Sequence, residues 1–142
     1  MRFSLSTQFC LRILAFAASV NRKTTTREIA QFYGLPLDRV RKAARRLGRM
    51  GYLATERGQT GGLRLARPAN EVTLGPVVRQ LETAAEARDN AQPGIYRPLT
   101  EALRSAVEEA EVVFWQKLDH VTLAELANSA AHKEQHESQR AA

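Results

Sequence analysis

The stretch Thr24–Pro68, TTTREIAQFYGLPLDRVRKAARRLGRMGYLATERGQTGGLRLARP, decides the fold of this chain. It opens with a capping box, Thr25-x-x-Glu28, which satisfies free backbone N–H groups at the start of a helix. Gly34 follows the apolar residues of that helix and suits the position just past its end. Pro36 fits the opening turn of a second helix, where a missing N–H costs nothing. The stretch therefore predicts two short helices joined by a tight turn.

The second of these helices has an apolar side and a basic side. Leu37, Val40, Ala44 and Leu47 recur at i, i+3, i+7 and i+10, which predicts a stripe that faces a core. The other side carries Arg39, Arg41, Lys42, Arg45, Arg46 and Arg49. Two strand-like runs follow, 52–55 and 62–66, around a glycine-rich tip at 57–61. Helix, turn, basic helix and hairpin form the layout of a winged helix-turn-helix, mainly α with a small β-hairpin wing.

Charge is distributed unevenly along the 142 residues. Residues 1–67 hold fourteen Lys and Arg against three acids, a net +11, whereas residues 68–142 hold seven against twelve, a net −5. A basic half joined to an acidic half fits a polyanion-binding unit attached to a unit with another task. The alternative is a soluble protein whose high pI has no functional meaning. This alternative does not explain why six basic residues lie on one predicted helix.

The first predicted helix covers 6–20, with Ser6 or Thr7 as its N-cap. It contains Cys10, which is the chain's single cysteine and excludes a disulfide framework or a four-thiolate metal site within one chain. Its apolar neighbours favour a packed small residue over a reactive thiol. Arg12 interrupts the apolar run at 9–20, so we expect a helix rather than a signal peptide, and a cytoplasmic location.

No catalytic constellation is visible, so the sequence predicts a protein that is not an enzyme. The pair His132 and His136 has helical i, i+4 spacing but lacks a third ligand and apolar support, which favours a fortuitous pair over a metal site.

The C-terminal half contains a long amphipathic helix. A short helix is predicted at 74–82, capped by Thr73, and a loop at 83–97. The long helix then covers 98–119. Its apolar stripe consists of Leu99, Leu103, Ala106, Val107, Ala110, Val113, Phe114 and Leu118. Because this helix is longer than a small domain needs, we expect its stripe to pack against a second copy of the chain. The alternative, that it folds back on its own winged helix, stays open.

The remaining residues complete a predicted division into parts. Thr122-x-x-Glu125 caps a short helix at 123–128, and 129–142 form a polar tail that we expect to be disordered. The expected DNA-binding domain is 1–82, the connecting loop is 83–97, and the dimerisation region is 98–128.

The wing sequence RGQTGGLRLARP, residues 57–68, together with Gly51-Tyr52-Leu53, resembles the IscR/NsrR (Rrf-two) family of winged-helix transcription regulators. The similarity covers residues 1–128, and the segment VTLAEL at 121–126 also matches the family. Its nitric-oxide-sensing branch is most similar, through residues 77–82. The resemblance implies a homodimeric, sequence-specific, bacterial-type DNA-binding repressor that recognises a near-palindromic operator.

One feature of that family is missing from this chain. Cluster-binding members hold an iron–sulfur cluster through three cysteines in the loop before the dimer helix, but residues 83–97 contain none. Arg97 stands where the third cysteine is expected, and Gln8 stands where the nitric-oxide branch has an acidic ligand. An amide without thiolates does not hold such a cluster. We therefore expect no cofactor. How the protein is regulated remains open: by a small-molecule effector, through Cys10, or not at all.

The resemblance and the basic helix together select the candidate DNA contacts. They are Thr26, Leu37, Asp38, Arg39, Arg41, Lys42, Arg45, Arg57, Gln59 and Thr60. Arg41 and Lys42 suit guanine or phosphate. The wing tip would reach the adjacent minor groove or the DNA backbone, and its glycines would let the protein backbone approach closely. The alternative function is a winged-helix protein-interaction adapter that no longer binds DNA. An adapter has no need for the +11 of residues 1–67.

Overall fold

The computed structural model describes residues 3–56, 58, 61–89 and 101–129 of the chain. They form two compact units. The first comprises the described residues of 1–72 and 122–142, and the second comprises those of 73–121. The C-terminal helix therefore groups with the helix-turn-helix and the wing, and residues 74–82 group with the long helix. The functional division expected from the sequence, 1–82 for DNA binding and 98–128 for dimerisation, stays a prediction.

Helix α1 (Leu5–Val20) begins earlier than the sequence suggested. Its N-cap is Ser4, whose hydroxyl oxygen accepts a hydrogen bond from the backbone N–H of Thr7. The expected caps, Ser6 and Thr7, therefore lie inside the helix. Thr7 is fully buried and accepts a hydrogen bond from the Ser4 hydroxyl at 3.0 Å.

Helices α2 (Thr26–Tyr33) and α3 (Leu37–Arg49) form the predicted helix-turn-helix. The Thr25 hydroxyl accepts from the backbone N–H of Glu28, which confirms the predicted cap. Gly34 ends α2 with φ +61°, in the left-handed region where a side chain is unfavourable. This conformation turns the chain sharply enough for α3 to begin three residues later.

The wing is an antiparallel hairpin of β1 (Leu53–Glu56) and β2 (Gly62–Leu65). Its register pairs Leu53 with Leu65 and Glu56 with Gly62. Residue Thr24 adds an isolated bridge to Leu63 of β2. The fold is thus mainly α with a two-stranded wing, as the sequence predicts.

A single apolar core holds the first unit together. Each element contributes fully or nearly fully buried side chains. They include Ile13 and Leu14 of α1, Ile29 of α2, Val40 and Leu47 of α3, Leu53 of β1 and Leu63 of β2. Burial of each such side chain stabilises the folded state by roughly 1.5–3 kcal/mol.

The C-terminal helix α6 (residues 123–129) completes this unit. A reciprocal capping box starts it, because Thr122 N–H donates to Glu125 Oε2 at 2.7 Å and Glu125 N–H donates to Thr122 Oγ1 at 3.2 Å. The backbone N–H of Leu123 donates to the carbonyl of Val72 at 2.8 Å, and Leu123 is fully buried. The predicted cap is confirmed.

The second unit consists of α4 (Leu74–Asp89) and α5 (Glu101–His120). The prediction of a loop from Thr83 was wrong, since α4 continues to Asp89. The segment 83–89, TAAEARD, lacks an apolar period but is rich in helix-forming residues, and these prolong a helix that has already begun. Residues 90–100 and the predicted tail at 130–142 lie outside the described residues. No helix in the described ranges is both long and apolar enough to cross a membrane.

A charged clamp joins the two helices of this unit. Arg79 of α4 donates through both terminal nitrogens to the two carboxylate oxygens of Asp119, each at 2.7 Å. Its guanidinium also lies over the ring of Trp115, 4.8 Å from the centroid. The hydrogen bonds from Arg79 hold the pKa of Asp119 below its usual value. Gly75 lies beside the clamp, and a Cβ there would overlap Asp119 Oδ1.

We predict that Gly75→Ala lowers the melting temperature, because the added methyl group displaces the Asp119 carboxylate and breaks a bidentate ion pair. Gly48→Ala is the matched control. A Cβ at Gly48 meets only ordinary contacts of 3.7 Å or more inside α3, so the change is expected to stabilise the helix by up to about 1 kcal/mol. Thermal unfolding followed by circular dichroism compares the two variants. Equal melting temperatures would contradict the prediction.

Candidate nucleic-acid interface

Helix α3 presents one charged stripe to solvent. Its buried side consists of Val40, Ala43, Ala44 and Leu47. Its exposed stripe consists of Asp38, Arg41, Lys42, Arg45 and Arg49. The stripe repeats every three or four residues, as one face of a helix does. The side chain of Asp38 is 95% exposed and lies 3.5 Å from Arg41, one turn further along.

Two of the six basic residues predicted for this side of α3 contact α1 instead. The Arg39 guanidinium lies 5.9 Å from the centre of the Phe9 ring. Arg46 is half-buried and donates to the Ser6 hydroxyl at 3.0 Å. Residues 39 and 46 are seven apart, so they share a face beside the stripe, and Arg39 is exposed there as well. Leu37, another predicted contact, is half-buried at the start of α3.

A cleft separates the exposed stripe from the wing, and we call it the inner cleft. On the helix side it is lined by Thr25, Thr26, Arg41 and Arg45, and on the wing side by Thr55 and Gly61 among others. Its volume is about 370 Å³. The structure thus brings three predicted DNA contacts, Thr26, Arg41 and Arg45, to one place. Sequence reasoning missed Thr55, although it shares a face of the hairpin with the buried Leu63 and could have been found from strand alternation.

The wing is fixed to the start of α2 by backbone pairing. Thr24 N–H donates to the Leu63 carbonyl at 2.9 Å, and Leu63 N–H donates to the Thr24 carbonyl at 2.8 Å. The Lys23 side chain passes over Gly62 and reaches Glu56 of β1, with Nζ 2.9 Å from Oε2. A Cβ on Gly62 would lie 2.7 Å from Lys23 Cγ and 2.8 Å from the Thr24 carbonyl oxygen. Gly62 therefore makes room for the protein's own chain, a role that the sequence did not indicate.

Glu28 fixes the first turn of α2 through side-chain contacts. Its carboxylate accepts from the Thr24 hydroxyl at 2.6 Å and pairs with the Arg22 guanidinium. The hydrogen bond from Arg22, followed by that from Thr24, lowers the pKa of Glu28 to about 2. Glu28 is therefore ionised at neutral pH, and the N-terminus of α2 carries a held negative charge, which the helix dipole favours.

The wing-tip candidates Arg57, Gln59 and Thr60 lie outside the described residues. Their neighbours Gly58 and Gly61 line the inner cleft, at its wing side. The roles predicted for the three tip residues therefore stay predictions.

The predicted dimer stripe lies on α5. Leu103 and Val107 are 49% and 43% exposed, and Val113 is 64% exposed. Ala106 and Ala110 are also exposed, whereas Phe114 and Leu118 are half-buried. Leu99 lies outside the described residues. A further large apolar side chain, Val112, is 56% exposed and was not predicted to belong to the stripe.

Comparison with known proteins identifies the family. Residues 3–129 match the sequence profile of the Rrf2 family, described as an iron-dependent transcriptional regulator. The chain belongs to the Rrf2 family. Its members are transcription regulators rather than enzymes, so the family recognised from the wing sequence is confirmed.

Solved structures of Rrf2 regulators share the fold. CymR (YrzC), the global cysteine regulator of B. subtilis, is 22% identical with a TM-score of 0.73, over 91% of this chain and 98% of that one. Staphylococcus aureus CymR is 21% identical with a TM-score of 0.70, over 87% and 96%. T. potens IscR is 21% identical with a TM-score of 0.67, over 92% and 88%. The winged-helix fold predicted from the sequence is thereby confirmed.

The iron implied by the family description does not fit the residues of this Rrf2 chain. Iron–sulfur clusters need several thiolates, and the whole sequence holds one cysteine. Cys10 is fully buried, and burial raises the pKa of its thiol to about 11. Among the described residues, no group of three His, Cys, Asp or Glu side chains could hold a metal ion. The family's fold is present here without a recognisable ligand set.

Proposed function

We propose that this Rrf2 chain is a homodimeric, sequence-specific DNA-binding repressor that acts in the cytoplasm and reads its operator with α3. The observation that carries this proposal is the exposed stripe of α3 beside the inner cleft. Its Arg and Lys side chains are free of the core, while the opposite face of the same helix is buried. A fixed helix with exposed donors is the usual means of reading the major groove.

The positions along α3 suggest separate roles. Asp38, Arg41 and Lys42 lie in its first half, the part of a recognition helix that approaches base edges. The Arg41 guanidinium is suited to bidentate contact with guanine. Thr26 and Arg45 line the inner cleft and would contact the phosphate backbone, which positions the protein without reading sequence. Arg57, Gln59 and Thr60 at the wing tip would enter the adjacent minor groove.

Dimerisation is supported by the exposed apolar stripe of α5. Leu103, Val107 and Val113 expose 43% or more of their surface in the single chain. Covering side chains of this size stabilises an association by roughly 1–3 kcal/mol each, and a two-fold axis doubles the number covered. A symmetric dimer would place two copies of α3 on half-sites about 34 Å apart, which calls for a near-palindromic operator. A dimer bound there could repress by blocking access of polymerase.

The first prediction concerns DNA binding. Affinity is expected to fall steeply with salt, with a slope of about −5 to −9 in log affinity against log salt for roughly six to ten phosphate contacts per dimer. Arg41→Ala should cost about 1–3 kcal/mol and relax base preference. Arg12→Ala, which removes an exposed guanidinium from α1, is the matched control and should change little. Fluorescence anisotropy with operator and unrelated DNA measures the salt dependence and the effect of each substitution. An affinity of the native chain that does not change with salt would contradict the proposed DNA binding.

The second prediction uses two adjacent residues of α5 that point to different sides. Val113→Glu places a charge in the proposed seam and should give monomers. Val112→Glu makes the same change about 100° around the helix, away from the stripe, and should leave the dimer intact. Both side chains are more than half exposed, so neither change is expected to unfold the monomer. Sedimentation or light scattering gives the mass. A Val113→Glu variant that remained dimeric would show that the dimer interface does not include this stripe.

The third prediction concerns the cofactor. Because the ligand thiolates are lacking, protein isolated without oxygen should be colourless and contain neither iron nor sulfide. Elemental analysis and the absorption spectrum measure this. Stoichiometric iron in the purified protein would contradict the prediction, while regulation by a small molecule remains compatible with it.

A further inference from the structure

The wing has a second charged face, on the side that points away from α3. In a strand, successive side chains alternate between faces. The register places Thr55 opposite Leu63 on the face of the inner cleft, and Ala54 opposite Arg64 on the other face. Arg64 of this other face lines a separate cleft of about 620 Å³, which we call the outer cleft. The lining also includes Leu65 of β2 and Ala17 of α1.

The outer cleft is strongly basic. Four cations from two segments of the chain line it, against one carboxylate. They are Arg22, Lys23, Arg64 and Arg67, and the carboxylate is Glu56. Arg22 pairs with Glu28, and Lys23 pairs with Glu56. Arg64 and Arg67 are exposed and form no ion pair with any residue in the described ranges. Such a surface has an excess of cations available to a polyanion.

The two clefts border different parts of the hairpin: Thr55 and Leu63 line the inner cleft, Arg64 and Leu65 line the outer cleft, and Glu56 lines both. Any minor groove is bordered by two phosphate backbones, so a hairpin tip inserted into it has one backbone on each side. With α3 in the major groove as proposed, the inner cleft, between α3 and the wing, would face the backbone that separates the major groove from the minor groove. The outer cleft would then face the other backbone. An open cleft with exposed cations along its rim suits an extended polyanion better than an enclosed small molecule.

We propose that the outer cleft binds the phosphate backbone of the second DNA strand that borders the minor groove, with Arg64 as its principal contact. This inference rests on the proposed DNA binding and adds a surface that reads no bases. The contact is on the order of one or two phosphates per protomer. It contributes affinity that is independent of sequence and sensitive to salt.

The proposal predicts a gradient along the wing. Arg64 lies two residues from Gly62 at the start of β2, about 7 Å along an extended strand. Arg67 lies three residues further from the tip, beyond the end of β2. It carries the same charge in the same cleft, so it serves as a comparison at a greater distance from the tip. Long-range attraction alone would make both residues matter equally, whereas a docked backbone requires Arg64 more than Arg67.

Glu56 supplies a test with the opposite sign. Its carboxylate borders both clefts and holds Lys23 Nζ at 2.9 Å. It repels phosphate and occupies a cation that could otherwise bind it. The hydrogen bond from Lys23 lowers the pKa of Glu56, so the carboxylate is charged at neutral pH. Glu56→Gln should therefore strengthen DNA binding. If the ion pair between Lys23 and Glu56 only stabilised the fold, Glu56→Gln would weaken DNA binding instead.

The experiment measures binding of the full chain to operator and to unrelated duplex DNA at several salt concentrations, using Arg64→Gln, Arg67→Gln and Glu56→Gln. For Arg64→Gln we expect roughly tenfold weaker binding on both DNAs and a salt slope smaller by about 2 per dimer, one for each phosphate that is no longer neutralised. Hydroxyl-radical footprinting should show weaker protection on the outer strand alone. Glu56→Gln should bind several-fold more tightly, and Arg67→Gln should lose clearly less affinity than Arg64→Gln.

The outcomes separate the two proposals. Failure of the native chain to bind any DNA would remove the proposed function and this inference with it. If the native chain binds DNA and Arg64→Gln binds it with the same affinity, only the outer-strand contact is overturned. The outer cleft would then suit an acidic protein surface as its partner. Equal losses for Arg64→Gln and Arg67→Gln would also overturn it, since they would show general attraction without a docked backbone.

Discussion

The pairing of Thr24 with Leu63 is the constraint on which the rest of the first unit depends. Two backbone hydrogen bonds of 2.9 and 2.8 Å join Thr24, two residues before α2, to Leu63 of β2, which also pairs with β1. The Lys23–Glu56 ion pair crosses the same point above Gly62, where no side chain fits. The start of α2 and the wing are therefore hydrogen-bonded neighbours, and the width of the inner cleft is set before any partner arrives. A preformed cleft avoids part of the ordering cost of binding.

Local rules predicted the parts of the fold that local interactions determine. The Thr25 cap, the left-handed Gly34 and the reciprocal Thr122–Glu125 box each involve residues within four positions, and the structure has all three. The same kind of rule could not choose among closely spaced hydroxyl residues, so the cap of α1 was placed two or three residues late. Apolar periodicity also ended α4 too early, because periodicity reports burial, whereas helical propensity suffices to extend a helix from an existing turn.

Contacts between residues that are distant in sequence determine the roles that could not be predicted from local sequence patterns. Arg46 and Ser6 are forty residues apart, and so are Arg79 and Asp119. A helical wheel places Arg46 among the basic residues, but the arrangement of α1 beside α3 decides that it serves the fold. The role of Gly62 has the same origin, since no pattern within the wing shows that Lys23 lies over it. The exposed stripe of α3, by contrast, follows directly from helical spacing.

The burial of Cys10 has a practical consequence for studying this Rrf2 protein in motion. Its thiol has no exposed surface and a pKa near 11, so at neutral pH it is almost entirely protonated and out of reach of maleimides. The natural sequence therefore already serves as a background without reactive thiols. A cysteine introduced at one exposed position of each wing would be the sole site of labelling. In the proposed dimer, spin or fluorophore pairs attached there could report the separation of the two wings without any alteration of the native core.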